Sequence, residues 1–190
     1  MAPADTGHDF EELTDEALLI SIANTGFQEF DELADAETIS GWWSELTTTE
    51  PSSTESSPAS ERKSVERLRA LRGVIRQLAW ANNGVLIEDD PAAGASLSVL
   101  ALRPDFSGGR LTLRPGRSTG TVDTISAAGV AALMRVTARP SWPRFKACHA
   151  LDCGWVFLDG SRNLSRRWCD MGDCGNRAKG AAFRARAQKA

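Results

Sequence analysis

The stretch CHALDCGWVFLDGSRNLSRRWCDMGDC, residues 148–174, holds all four cysteines of the chain: Cys148, Cys153, Cys169 and Cys174. They fall into two C-x4-C pairs separated by 15 residues. Two thiol pairs around a short insert supply the four soft ligands of a tetrahedral zinc site, each pair gripping one edge of the metal. The insert must then fold back on itself. Gly154-Trp155-Val156-Phe157-Leu158 reads as a strand, Asp159-Gly160 as a turn, and Arg166-Arg167-Trp168 as a returning strand. Cys174 opens a helix through Ala178, Ala181, Ala182 and Ala185, where the helix dipole favours a thiolate. This predicts a small treble-clef or ribbon-like module of hairpin and helix.

Two other arrangements are open to the same thiols: a pair of disulfides, or four unrelated buried cysteines. Disulfides suit secreted chains. Met1 to Phe10 carry acids and no basic n-region, which does not read as a signal peptide. Residues 144–190 are poor in large apolar groups, and so small a unit ordinarily needs a metal or cross-links to stay folded. Four thiolates close the shell, so one zinc there is expected to be structural, with no open position for substrate. His149 is then a bystander, and His8 near the N-terminus has no assigned role.

Outward from the cysteines, charge is strongly polarised. Residues 1–60 hold 14 acids and no Lys or Arg, a formal charge of -14. Residues 61–138 carry +4 and residues 139–190 carry +7. A basic tail points to an anionic partner such as nucleic acid, or to the acidic half of the same chain. No run approaches the roughly 18 apolar residues of a membrane span, and a cytoplasmic location is expected.

The remainder predicts a mostly helical α+β domain over residues 1–140, joined to the zinc module at 141–190. Thr14 or Asp15 caps a helix containing Leu18, Leu19, Ile20 and Ile22, which breaks near Asn24-Thr25-Gly26. Asp35 caps a second, whose Ile39, Trp42, Trp43 and Leu46 share one face. Residues 47–60 form a Ser/Thr/Pro linker. Ser60 caps a long helix to Asn82 with Val65, Leu68, Leu71, Ile75 and Leu78 inward, and its arginines read as a solvated face. Residues 97–103 and 110–114 read as a hairpin whose loop is Pro104 to Gly109. Thr124 or Ser126 caps a last helix with Val130, Leu133 and Met134 inward, stopped by Arg139-Pro140 and Trp142-Pro143.

The run Trp168-Cys169, then Cys174-Gly175-Asn176-Arg177 followed by Ala178-Lys179, resembles the signature of the CGNR zinc-finger family. Cys148 and Cys153, with Gly154-Trp155-Val156-Phe157 after them, fit the same pattern. Leu19-Ile20-Ser21-Ile22-Ala23-Asn24-Thr25 is similar to the apolar strip of the ABATE domain that accompanies this finger, with Ser21 where relatives often carry Asp. The resemblance implies a zinc-containing, stress-related transcription regulator that binds DNA.

For that role the residues singled out are Arg162, Arg166, Arg167, Arg177, Lys179, Arg184 and Arg186, with Lys189 adding charge. Lys and Arg so placed neutralise phosphates. Arg177 has a second assignment, a hydrogen bond to a ligand sulfur or a backbone carbonyl. The alternative is a ligand- or protein-binding module, with Asn24, Thr25 and Trp42 lining a small-molecule pocket and the finger purely structural or mediating protein contacts. Helical spacing favours the plainer reading of the same region, with Trp42 and Trp43 as core and Asn24 as a helix cap. No phosphate loop, nucleophile elbow or catalytic carboxylate motif is present, so no enzymatic activity is expected.

Overall fold

The computed structural model describes residues 13–26, 31–47, 57–116, 120–150 and 152–187. His8, Lys189 and most of the Ser/Thr/Pro linker lie outside these residues.

Helix α1 (Asp15–Asn24) starts where Thr14 accepts the Ala17 N–H through its hydroxyl, 3.2 Å away. Helix α2 (Ala36–Thr47) starts after Asp35, whose carboxylate accepts the Thr38 N–H at 2.8 Å. Both N-caps are those read from the sequence. Helix α3 (Pro58–Ala81) is capped three residues before the expected Ser60. Ser57 is the cap, and Pro58 takes the first helical position, where its missing N–H costs nothing.

Helix α4 (Pro91–Leu97) occupies a segment with no sequence assignment up to Leu97, the residue expected to open the first hairpin strand, and uses the same device: Asp90 accepts the Ala93 N–H, and Pro91 follows. Its presence moves the hairpin. Strands β1 (Leu102–Ser107) and β2 (Arg110–Pro115) pair antiparallel, so Pro104 to Ser107 belong to a strand and not to the loop. The turn is Gly108-Gly109 alone, with φ of 56° and 71°. Two successive left-handed residues match the twist of a tight hairpin, and glycine adopts them without steric cost.

Helix α5 (Thr121–Thr137) starts after Gly120, without a side-chain cap. The expected cap residues sit inside it: Thr124 and Ser126 donate their hydroxyls back to the Gly120 and Val122 carbonyls. Leu133 is buried and Val130 packs on the core, whereas Met134 is 56% exposed, contrary to its inward assignment.

Helices α1, α3 and α5 pack on one another, and α2 packs on α3 and α5. Leu19, Ile22, Leu68, Leu71, Ile75 and Ile125 are fully buried between them. The three helices meet at Gly129. A Cβ there would lie 2.7 Å from Leu71 Cδ2 and 2.9 Å from Ile22 Cδ1, so any larger residue would push the ends of these two buried side chains aside. Trp43 and Ile39 of α2 are buried, and Trp42 and Leu46 are partly buried against the same core.

The C-terminal module continues this core. A 3-10 turn (Trp142–Arg144) leads into β3 (Phe145–Ala147), which pairs antiparallel with β4 (Val156–Leu158). Phe145, Ala147 and Val156 belong to the same buried cluster as the helices. A π-type turn (Met171–Gly175) and helix α6 (Asn176–Ala187) follow. The fold is therefore mixed: helices, two small hairpin sheets and a four-cysteine module of hairpin and helix. Among the described residues no helix is long and apolar enough to cross a membrane.

The partner of β4 differs from expectation. It is β3, upstream of Cys148, and Arg166-Arg167-Trp168 forms no strand. Asp159 is the cause. It is fully buried, and its carboxylate accepts from Lys146 Nζ at 2.8 Å, from the Ser161 N–H and from the Arg166 N–H. Residues 159–166 wrap this carboxylate as an irregular loop.

Candidate metal centre

The β3–β4 pairing places Cys148 and Cys153 on the connection between the two strands. The Cys148 N–H donates to the Trp155 carbonyl at 2.8 Å, and the Cys153 N–H to Ala150 at 3.0 Å, which curls the connection around its two thiols. Gly154 then turns at φ 65°, in the left-handed region, with Trp80 Cζ2 3.4 Å from where a Cβ would stand. The second pair lies on the π-type turn. Asp170 caps it, accepting the Gly172 and Asp173 N–H groups, so Cys169 precedes the turn and Cys174 sits within it, just before α6.

The four sulfurs lie within 4.8 Å of one another. Cys153 and Cys169 are 3.6 Å apart, Cys169 and Cys174 3.7 Å. A tetrahedron of Zn–S bonds near 2.3 Å requires sulfur separations of about 3.8 Å. A disulfide would need sulfurs about 2 Å apart, and all four cysteines are free thiols. The residues present thus fit one zinc ion, and the set leaves no fifth donor that the coordination would need.

The thiols differ in environment. Burial pushes Cys153 up to about 11, and pushes Cys169 up further. Burial acts on Cys174 in the same direction, but the hydrogen bonds from Arg177 and from the neighbouring thiols together outweigh it and hold this thiol below its ordinary value. Arg177 Nη2 donates to Cys174 Sγ at 3.2 Å, Nη1 to Asp152 at 2.6 Å, and Nε lies 3.2 Å from Asp173. One guanidinium therefore ties the second cysteine pair to Asp152, the neighbour of Cys153. Of the two roles open to Arg177, the sulfur hydrogen bond is the one present. Four thiolates around one Zn²⁺ leave a formal charge of -2, which this cation partly offsets.

Other arginines serve the loop itself. Arg166 lies over the Phe157 ring at 4.5 Å and donates to the Trp168 and Cys169 carbonyls. Arg167 meets the His149 ring, which packs edge-on against Trp168 at 5.5 Å. Burial, then the Arg167 charge, hold His149 below its ordinary value. Arg162, Lys179, Arg184 and Arg186 are exposed.

Several residues that position the module carried no assignment in the sequence. Trp80 Nε1 donates to the Cys148 carbonyl at 2.8 Å. Asn82 Nδ2 donates to the Trp142 and Phe145 carbonyls, and Asn83 Nδ2 to those of Ala147 and Arg167. Asn82-Asn83-Gly84 reads in sequence only as a helix end; in the structure it grips β3. Asn24, at the end of α1, holds β4 from the other side: its Nδ2 donates to the Val156 carbonyl at 3.0 Å and its Oδ1 accepts the Val156 N–H at 2.8 Å. Thr25 is buried and donates its hydroxyl to the Ile22 carbonyl, while Trp42 lies tilted on Trp43 at 5.9 Å. The polar side-chain groups of Asn24 and Thr25 thus close on the chain itself.

No curated protein matches the chain. The segment carrying four clustered thiols, the two hairpin strands and the helix after Cys174 is residues 144–187, and it matches the family model of the CGNR zinc finger.

Proposed function

We propose that this protein is a DNA-binding transcription regulator, stress-related as the finger's family resemblance implies, in which the zinc module presents α6 to the nucleic acid. The supporting observation is the surface of α6. Every residue from Ala181 to Ala187 is exposed, and the helix carries Arg177, Lys179, Arg184 and Arg186 with no acid. A 12-residue helix with no buried side chain gains little from packing, so Lys179, Arg184 and Arg186 are held out to solvent for a partner, while Arg177 is tied to Cys174, Asp152 and Asp173.

The chain's acids favour this reading. Among the described residues, Asp15 and Glu16 pair with Arg135 and Arg139 of the helical part, and Asp31 with Arg72. These acids are committed within the bundle. Lys179, Arg184 and Arg186 form no ion pair among the described residues.

Duplex-DNA binding followed by fluorescence anisotropy across a salt series tests the proposal. The zinc-loaded chain should bind with a log–log salt slope of about -0.9 per phosphate contacted, and chelation should abolish binding. Absence of binding at low salt by the zinc-loaded protein would overturn it.

A further inference from the structure

We infer that α6 divides its work between two faces, and that Phe183 on the outward face makes a direct apolar contact with thymine in duplex DNA; this rests on the DNA-binding reading above. At 3.6 residues per turn, Arg177 and Arg184 share one side of α6, and Arg177 is bound to Cys174 Sγ and Asp152. Lys179, Phe183 and Arg186 fall at i, i+4 and i+7, about 200° round the helix from Arg177. They form a single stripe that faces away from the metal.

Phe183 is 67% exposed. Among the described residues no element covers it, and cations stand one turn before it and one turn after it. The rest of α6 is small, with Ala178, Gly180, Ala181, Ala182, Ala185 and Ala187. A helix this slender enters a groove about 12 Å wide. Its charge outside the Arg177 contacts, Lys179, Arg184 and Arg186 with no acid in the helix, selects a polyanion as occupant. Two cations flanking an aromatic ring along one stripe suit phosphates on either side of a base edge. The apolar feature of the major-groove edge is the thymine C5 methyl, a group that Phe contacts.

The test is a cycle of two proteins and two duplexes, with the full zinc-loaded chain throughout. Wild type and Phe183→Ala are titrated against a thymine-rich duplex and against the same duplex with deoxyuridine for thymine. Alanine is the strongest helix former, so α6 should persist in the variant, and zinc content and circular dichroism verify this. Wild type should lose about fourfold in affinity on removal of the methyl, the equivalent of one buried carbon. Phe183→Ala should bind both duplexes alike, more weakly than wild type binds the thymine duplex, with the salt slope unchanged. Lys179→Ala should weaken both duplexes equally and flatten the slope by about 0.9. If Phe183→Ala and wild type respond identically to loss of the methyl, or if Phe183→Ala changes the slope, the inference is wrong while the DNA-binding reading stands. If wild type binds neither duplex, both fall together.

Discussion

Arg177 shows how much one side chain can settle. Its guanidinium reaches Cys174 Sγ and Asp152 at once, so it spans the two cysteine pairs that a metal must draw together. A positive charge at the sulfur favours the thiolate, the form that binds metal. Partners of this kind are worth about 10- to 100-fold in metal affinity. Arg177→Met should therefore weaken zinc binding by that factor in a chelator competition, and Arg177→Lys should restore only part of it, lacking the fork that reaches both groups. Asp159 is the second decisive residue. Burial alone would raise its carboxyl, yet the Lys146 ammonium and the hydroxyl and N–H of Ser161 hold it well below the usual carboxylate range. A depressed folded value stabilises the fold above the unfolded value near pH 4, and that contribution is lost as pH falls. Asp159→Asn should be less stable than wild type by about 3 kcal/mol near neutrality, since Lys146 is left buried beside a neutral partner. The gap measured by urea denaturation should narrow below about pH 4.

Between elements, the joint made by α1, the end of α3 and the β3–β4 hairpin has the most consequence. Asn24 completes the hydrogen bonding of Val156 in both directions, as a neighbouring strand would. Asn24→Ala leaves a part-buried N–H and carbonyl unpaired and should cost about 1–3 kcal/mol, read as a shift in the urea midpoint. Asn24→Asp keeps the acceptor and loses the donor, so it should fall between the two. This joint was not legible in the sequence, because its contacts bridge residues up to 132 apart and leave no periodic trace. The arginines of α3 escaped for the same reason. Arg69, Arg72 and Arg76 read as a solvated face, yet they donate to the Leu33, Thr25 and Ala23 carbonyls, at the end of α1 and in the connection to α2, which α3's own pattern does not reveal. The signals that did carry over were local ones. Thr14 and Asp35 each stand directly before an apolar periodic run, and the buried stripe of α3 repeats at helical spacing. Ser57-Pro58 and Asp90-Pro91 are equally local cap signals, and Ser57 rather than Ser60 is the cap of α3.

Across the whole molecule, the metal centre and the helices share one interior. The paired spacing of the cysteines made the ligand set legible, because four thiols at such intervals have few other uses. That the module packs into the bundle was not legible, since a three-residue strand such as Phe145–Ala147 gives no pattern to read. Phe145 and Val156 are buried with Leu71 and Ile125, and Trp80 holds the Cys148 carbonyl. Zinc loss should therefore loosen more than residues 144–187. Chelation is expected to lower the thermal midpoint of helical circular dichroism for the entire chain, in a single transition. An independent finger would leave the helices of residues 15–137 at their original midpoint.

Mass spectrometry of the native protein reads directly whether Cys148, Cys153, Cys169 and Cys174 together hold one zinc ion. The expected result is one zinc per chain, with all four thiols protected from alkylation until a chelator is added, and no stably bound zinc in Cys169→Ser. A folded wild-type chain that carries no metal, or a Cys169→Ser chain that keeps its zinc, would contradict the account.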